Sequence, residues 1–401
     1  GLGYIGLPTA TILAKSGFNV LGIDINEDVI ASLKKGEIHI VEPNLDELVK
    51  EVVKKGSLSL STNLEHSDVF IIAVPTPLTD TLEPDLQYVE SVAENLAEII
   101  EPGNLVVVES TVPIGTTEKL RDTLQRIRSD LNFSDNNSDE DQVYIAHCPE
   151  RVLPGNVLFE LIHNDRIVGG IDTASSNLAF NFYKEFVKGQ IYLTDSKTAE
   201  LSKLVENSFR DVNIAFANEL SLISEEFGIN VWELINLANK HPRVDILQPG
   251  PGVGGHCIAI DPLFIVNSSP ENSQLIKKAR EVNNKKPLQV LKKIKNVATS
   301  LGDFSEVSVA TLGLSFKKNI DDLRESPALE IAEEIDKLGF KNHFIIEPNI
   351  ELLPLQFDET TAELCDLERG ISLADIILIL VDHDEFSELK SKDLSTKKII
   401  D

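Results

Sequence analysis

Gly1-Leu2-Gly3-Tyr4-Ile5-Gly6-Leu7-Pro8-Thr9-Ala10-Thr11-Ile12-Leu13-Ala14-Lys15-Ser16-Gly17-Phe18-Asn19-Val20-Leu21-Gly22-Ile23-Asp24 opens the chain. Its first six residues fit G-x-G-x-x-G. A helical pattern follows over residues 8–16, Gly17 stops it, and an apolar run over 19–23 ends at Asp24. Turn, helix, strand and acid in that order are the dinucleotide fingerprint. Gly1, Gly3 and Gly6 make the tight turn, admit a pyrophosphate and let helix meet strand, with Tyr4 and Ile5 in the same turn. The helix N-terminus faces the phosphates. Asp24 stands where a carboxylate accepts the adenosine ribose hydroxyls, so NAD is expected rather than its 2′-phosphorylated relative. The chain starts inside this motif without an initiator Met and ends on Ile399-Ile400-Asp401 as a strand closes. Both ends are expected to be cut from a longer chain, with the first strand of the fold missing.

Strand–helix alternation continues outward from this stretch. Strands over 69–74, 105–109 and 143–146 run into Pro75-Thr76-Pro77, Ser110-Thr111-Val112-Pro113 and His147-Cys148-Pro149-Glu150-Arg151. In a parallel sheet these carboxyl ends form one crevice, where ligands bind. Thr76, Thr111 and Glu150 are therefore candidates for the nicotinamide end, with turn capping as the bland alternative for the threonines. Thr117 is a cofactor candidate on the same footing, though Thr116 and Thr117 fit helix N-caps equally well. Residues 130–141 read as an acidic surface loop, 165–170 as a strand, and 185–193 as the close of the first domain.

Ser196–Phe227 follows as a long helical pattern without proline or interior glycine, which points to a spine or a dimer interface. Lys203, Asn207 and Arg210 fall on one face of it; either that face is solvated, or it points an ammonium and an amide into a pocket. A shorter helix over residues 231–238 carries Trp232, assigned to core packing. His241-Pro242-Arg243 then leads into Gly250-Pro251-Gly252-Val253-Gly254-Gly255-His256-Cys257-Ile258-Ala259-Ile260-Asp261-Pro262. Four glycines in six residues let backbone approach a ligand closely. A thiol among backbone N–H groups suits a nucleophile; the alternative is a turn with an inert cysteine. Two helices are expected over 273–284 and 287–300. A second α/β unit follows, with strands over 307–313, 343–346 and 374–381 and a helix opened by residues 321–327. Lys317 and Arg324 supply cations there suited to phosphate, or to surface pairing with Asp321 and Asp322.

Composition narrows the class. The 401 residues exceed one core, and 42% hydrophobic with 25% charged residues is ordinary globular usage. A net charge of -28 argues against nucleic acid and anionic membrane as partners. No apolar run is long enough to span a bilayer. Cys148, Cys257 and Cys365 are few and odd in number, which argues for a reducing compartment, the cytoplasm. No zinc spacing appears, so no metal is expected. The expected class is α/β: two Rossmann-like doubly wound domains, 1–194 for NAD and 301–401 for the substrate nucleotide, joined by a central helical domain, 195–300, with the spine helix and the cysteine loop.

Together these pieces resemble the UDP-glucose/GDP-mannose dehydrogenase family over essentially the whole chain. Gly254-Gly255-His256-Cys257 with Asp261, and Lys203 with Asn207, match its core signatures. The runs 147–155, 206–213 and 255–262 look like its UDP-N-acetylmannosamine dehydrogenase branch; Ile260 stands where the UDP-glucose enzymes typically carry Lys. The resemblance implies NAD-dependent four-electron oxidation of UDP-N-acetyl-D-mannosamine to the uronate, through a thiohemiacetal and thioester on Cys257. Lys203 and Asn207 would steady the oxyanion, and Asp261, or Glu150 through a water, would act as base. Arg151, Val152, Lys203, Asn207, Arg210, His241, Arg243, Gly254 and Lys317 would contact the UDP-amino sugar, and Arg324 the cofactor. His256 is read as packing or hydrogen bonding. A homodimer or higher oligomer is expected through the central helix. UDP-N-acetylglucosamine is the alternative substrate, and a non-catalytic dinucleotide-binding protein the alternative class.

Overall fold

The computed structural model describes every residue except 134–141, 154, 256 and 390–393. His256 and most of the acidic loop read at 130–141 therefore lie outside the described residues. The chain forms two compact units: Gly1–Glu206 with Leu263–Pro270, and Asn207–Pro262 with Glu271–Asp401.

In the first unit α1 (Gly6–Lys15) leads to β1 (Val20–Ile23), α2 (Glu27–Lys34), α3 (Leu45–Lys55), β2 (Leu58–Ser61) and β3 (Val69–Ile72). Then come α4 (Gln87–Ala97), β4 (Leu105–Val108), α5 (Thr116–Ile127), β5 (Tyr144–His147), α6 (Val157–His163), β6 (Arg166–Gly170), α7 (Thr173–Lys184) and β7 (Ile191–Asp195). β1 and β2 pair in parallel, and a five-stranded sheet has the order β3-β4-β5-β6-β7. Its pairs are parallel apart from antiparallel β5–β6. β4 shows why such strands read as unbroken apolar runs. Val106 and Val108 pack into one core and Leu105 and Val107 into another, so both faces of the sheet are covered.

The unit boundary falls within α8 (Ser196–Phe227) and again within α10 (Asp261–Ser268). The second unit holds α9 (Val231–Ala238), α11 (Gln274–Leu301), β8 (Ser308–Leu312), α12 (Pro327–Asp336), β9 (Asn342–Ile346), β10 (Ala362–Leu364), α13 (Leu367–Leu373), β11 (Ile376–Ile379) and β12 (Lys398–Ile400). Its sheet is parallel throughout, in the order β10-β9-β8-β11-β12. The strand order reverses at β8, so the carboxyl ends of β8 and β11 flank the switch point where such sheets bind ligands.

Three expectations change: Trp232, assigned to core packing, is 40% exposed on α9, where Ile235 is the buried residue, and two helix readings differ. The two helices expected over 273–284 and 287–300 are one, α11, running through Pro287. A proline inside a helix costs a backbone hydrogen bond. Tertiary contacts hold both flanks here: Arg280 and Asn283 bond to Asp211 on α8, while Leu291, Ile294 and Ala298 enter the core. The helix expected to open at 321–327 begins only at Pro327. Ser326 caps it through Leu329 N–H, and its hydroxyl donates to the Leu314 carbonyl at 2.6 Å. No described helix is long and apolar enough to cross a membrane.

Candidate active site

The fingerprint glycines differ in what surrounds them. A Cβ on Gly1 would strike the Ala73 carbonyl after β3, and one on Gly6 would strike the Gly1 carbonyl; a Cβ on Gly3 would meet nothing within 4 Å. Gly1 and Gly6 let the backbone turn against the sheet, while Gly3 leaves open space beside the start of α1. Asp24 follows β1, half-exposed, and accepts the Leu2 N–H at 2.8 Å and the Asn26 N–H at 2.9 Å. The acid is thereby fixed to the glycine turn, and Tyr4 and Ile5 complete that turn. An open glycine edge, a helix N-terminus and a fixed carboxylate are the donor and acceptor set that a dinucleotide requires.

Thr76 and Thr111 are brought together at the carboxyl ends of β3 and β4, the Thr76 hydroxyl donating to the Thr111 carbonyl at 2.6 Å. Thr117 is placed differently. It is fully buried, and its hydroxyl and N–H both bond to Glu200 of α8, at 2.6 and 2.7 Å. Glu200 also accepts the Gly115 N–H, so a carboxylate from another helix caps α5. That is a structural use of Thr117, where the sequence pointed to cofactor or N-cap. Glu150 is buried and paired with Arg166 at 3.0 Å, its other oxygen accepting the Arg151 N–H at 2.7 Å. A base role for Glu150 requires that pair to open.

Beneath it lies a buried cluster that the sequence did not disclose. Glu109 accepts the Tyr183 hydroxyl at 2.6 Å and lies 3.5 Å from the Thr9 hydroxyl. Burial, only partly offset by Arg166, raises its carboxyl to about 7. Its one sequence signal is an acid ending an apolar strand.

The cysteine loop belongs to the second unit. Gly255 has φ 80 and lies so close to the Phe316 ring that a Cβ would sit 2.9 Å from it; a Cβ on Gly254 would strike the Glu325 carbonyl. These glycines are thus required by contact with protein, where the sequence suggested contact with a ligand. A buried polar lattice holds the start of the loop. Arg280 pairs with Asp211 at 2.6 Å, Asn283 bridges Asp211 and Asn218, and Asn218 accepts the Gly250 N–H at 2.9 Å. At the other end, the Cys257 carbonyl accepts the Ile260 and Asp261 N–H groups, making the turn that enters α10. Asp261 is buried and accepts an amide hydrogen of Asn207 at 2.6 Å. Asn207, Asp261 and the Cys257 turn therefore converge. Lys203 is half-buried one helical turn before Asn207 on α8.

The three thiols are unequal. Cys148 is fully buried and Cys365 partly so; burial pushes both up to about 11, away from the thiolate form. Cys257 is exposed. Among the described residues no cluster of His, Cys, Asp and Glu could hold a metal ion.

The remaining candidates are spread over both units. Arg151 pairs with Glu206 at 2.8 Å, and Val152 packs half-buried against the first unit's core. Arg210 is exposed on α8, and His241 and Arg243 are exposed in the turn after α9. Lys317 is exposed after β8. Arg324 forks onto Asp322 at 2.8 and 2.6 Å, the surface pairing weighed against a phosphate role; cofactor contact requires that fork to open.

Family models match in the same order as these parts. The NAD binding domain of the UDP-glucose/GDP-mannose dehydrogenase family matches residues 1–187, its central domain 197–285 and its UDP binding domain 310–401. The chain belongs to that family. The NDP-N-acetyl-D-galactosaminuronic acid dehydrogenase of Ralstonia nicotianae is 52% identical over 401 residues, all of this chain and 94% of that one. The UDP-N-acetyl-D-mannosamine dehydrogenase of Escherichia coli is 49% identical over 406 residues, all of this chain and 96% of that one. Among solved structures, the UDP-D-ManNAc dehydrogenase of Pyrococcus horikoshii matches with a TM-score of 0.88 and 41% identity, covering 100% of this chain and 93% of that one. This protein is an NAD-dependent UDP-sugar dehydrogenase, an oxidoreductase with a parallel-sheet domain at each end and the long helix α8 between them. The fingerprint turn lies in the NAD binding domain, Lys203, Asn207 and Cys257 in the central domain, and Lys317 and Arg324 in the UDP binding domain.

Proposed function

We propose that this dehydrogenase oxidises C6 of UDP-N-acetyl-D-mannosamine from alcohol to carboxylate, with Cys257 holding the carbon covalently between the two oxidations. The observation that carries the reading is the convergence of the Cys257 turn, Asp261 and Asn207, fixed by the 2.6 Å Asn207–Asp261 bond. Bound NAD supplies the hydride acceptor for each oxidation.

The chain's own groups have definable parts. Asp261 takes one Asn207 amide hydrogen and so sets which end of the amide faces the loop; the second hydrogen remains for a sugar oxyanion. Lys203 adds a positive charge from the same helix face. The exposed Cys257 gives its thiol proton to the base as its sulfur adds to the C6 aldehyde, forming a C–S bond while the carbonyl oxygen becomes the alkoxide that Lys203 and Asn207 receive. Oxidation of that thiohemiacetal leaves a thioester. Water then breaks the C–S bond, releasing the uronate and returning the thiol. Asp261, or Glu150 through a water, is the candidate base; Asp261 is engaged by Asn207 and Glu150 by Arg166, so either role requires that bond to open. Arg151, Val152, Arg210, His241, Arg243, Gly254 and Lys317 are proposed to contact the UDP-sugar, and Asp24, Thr76, Thr111 and Arg324 the cofactor.

Self-association belongs to the same reading. Phe209, Phe216, Ile223 and Phe227 are exposed by 68, 50, 48 and 70% and recur along α8 at spacings of seven, seven and four. An apolar stripe of that kind on one helix face is the seam of a helix–helix interface. We assign it to a homodimer.

The substrate test is steady-state turnover of UDP-N-acetylmannosamine against its gluco epimer and the galacto isomer, which differs at C2 and C4, with product identification. Highest kcat/KM with the manno epimer is expected. The relatives named NDP-N-acetyl-D-galactosaminuronic acid dehydrogenase favour a second reading with the galacto configuration. Faster turnover of that isomer, or of the gluco epimer, would replace the first reading.

A further inference from the structure

The C-terminal sheet carries a buried polar cluster at its switch point. Glu347, just after β9, and His383, after β11, are both buried beneath the turn that follows β8. Glu347 Oε2 accepts the N–H groups of Leu314 and Ser315 at 2.7 and 3.2 Å. Its Oε1 accepts the Asn349 backbone and side-chain N–H groups at 3.1 and 3.0 Å. Burial alone would raise this carboxyl, but the bonds from His383, Leu314 and Asn349 outweigh it and hold it down at about 2.

Ser315, His383 and Glu347 have the residue types of a nucleophilic triad, and the hydrogen bonds exclude one. His383 Nδ1 receives the Asn319 N–H at 2.9 Å and the Asn349 amide at 3.1 Å, so it is an acceptor. In the neutral ring Nε2 then carries the hydrogen and donates it to Glu347 at 3.0 Å. No lone pair remains to take a proton from Ser315, whose hydroxyl instead donates to the Lys317 carbonyl at 2.7 Å.

The cluster therefore works on the backbone. Glu347 holds the near end of the turn at Leu314 and Ser315, and His383 holds the far end at Asn319. A surface staple repeats the far attachment. Asn319, at φ 59, exchanges two hydrogen bonds with Asp384 at 2.6 and 3.0 Å, and Lys318 pairs with Asp384 at 2.8 Å. Lys317 sits between the two ends. Among the described residues its ammonium has no ion-pair partner, whereas that of Lys318 beside it does.

We infer that His383 and Glu347 are positioning residues for UDP-sugar binding: they clamp both ends of the turn at residues 314–319 so that the Lys317 ammonium is held ready for the nucleotide. This rests on the reading that Lys317 meets the UDP-sugar. His383 and Glu347 would act through Lys317 and touch neither ligand.

The test is a double-mutant cycle on the full chain, read as UDP affinity by calorimetry and as KM against kcat. His383→Gln removes the acceptor for Asn319, and is expected to weaken UDP and raise the sugar KM about tenfold, with kcat and the NAD KM within about twofold. His383→Asn keeps an acceptor near the Nδ1 position and should recover most of that loss. In a Lys317→Ala background His383→Gln should cost less than about twofold more. Equal costs in both backgrounds, or an unchanged KM in His383→Gln, would overturn the inference while leaving the substrate reading in place. If His383→Gln fails to fold, the exposed Asp384→Ala carries the same cycle with the same expectations. A wild type that binds no UDP would overturn the substrate reading and this inference with it.

Discussion

Cys257 owes its assigned role to exposure and neighbours. Cys257→Ser keeps the turn into α10, because the bonds there use the Cys257 backbone carbonyl. It is expected to bind NAD and UDP-sugar near the wild-type level while uronate formation falls by at least about a thousandfold, since an alkoxide leaving group makes an ester far less reactive than the thioester. Mass analysis of the product and NADH absorbance check this; full uronate production by the variant would remove the covalent step. Glu109 carries the clearest pH signature. The unfolded chain sheds this proton near the ordinary 4.5 and the folded chain near 7, so the folded state holds an extra proton between them. Its contribution to stability is therefore greatest below about 4.5 and is lost as pH rises through 7. Glu109→Gln, which mimics the protonated acid, should flatten that part of the stability–pH curve by on the order of 1–3 kcal/mol; an unchanged profile by denaturant titration between pH 5 and 8 would contradict it. Lys203 with Asn207, and Cys257 with Asp261, stood out as candidates because each spacing is local; the 2.6 Å bond between Asn207 and Asp261 joins two segments 54 residues apart. Glu109 did not stand out, because the groups that give it meaning, Thr9, Tyr183 and Arg166, come from α1, α7 and β6.

At the scale of elements, the fingerprint turn separates two uses of glycine that the motif alone does not distinguish. Gly6→Ala pushes a methyl into the Gly1 carbonyl, and should cost about 3 kcal/mol or more and fold poorly. Gly3→Ala meets open space, so stability should change by less than about 1 kcal/mol while the NAD KM rises at least about tenfold. Thermal melts with NAD titrations check the pair; equal stability losses would contradict the division. The α8 stripe makes a second test: Phe216→Asp should yield a monomer by light scattering, and a persistent dimer would move the interface elsewhere. The bounds of α8 and α9 were readable because uninterrupted patterns end at Gly228 and Asn239. α11 was misread as two helices because Pro287 is a local signal, and the Asp211 contacts that override it are distant in sequence. Remote carboxylate caps were invisible for the same reason. Glu200 serves α5, and Glu42 accepts the Val157 N–H at 2.7 Å from 115 residues away to start α6.

For the whole molecule, the strand–helix alternation was most legible at β4 and β8, which are buried on both faces. The antiparallel β5–β6 pairing was not, since strand direction leaves no mark on composition. The order of the parts, dinucleotide turn, spine helix, cysteine loop and second sheet, recurs in the three matched family domains and was the most readable feature of all. A net charge of -28 sets an anionic substrate and cofactor against a repulsive overall field, so Lys203, Arg210, Arg243 and Lys317 gain weight as local attractants. A single bound sugar is expected to lose two electron pairs before it leaves the enzyme. The direct measurement is the ratio of NADH formed to UDP-sugar consumed, taken with UDP-N-acetylmannosamine and excess NAD. Two NADH per uronate, with no free aldehyde trapped by hydroxylamine, is the predicted result; one NADH per sugar, with the aldehyde accumulating, would contradict it.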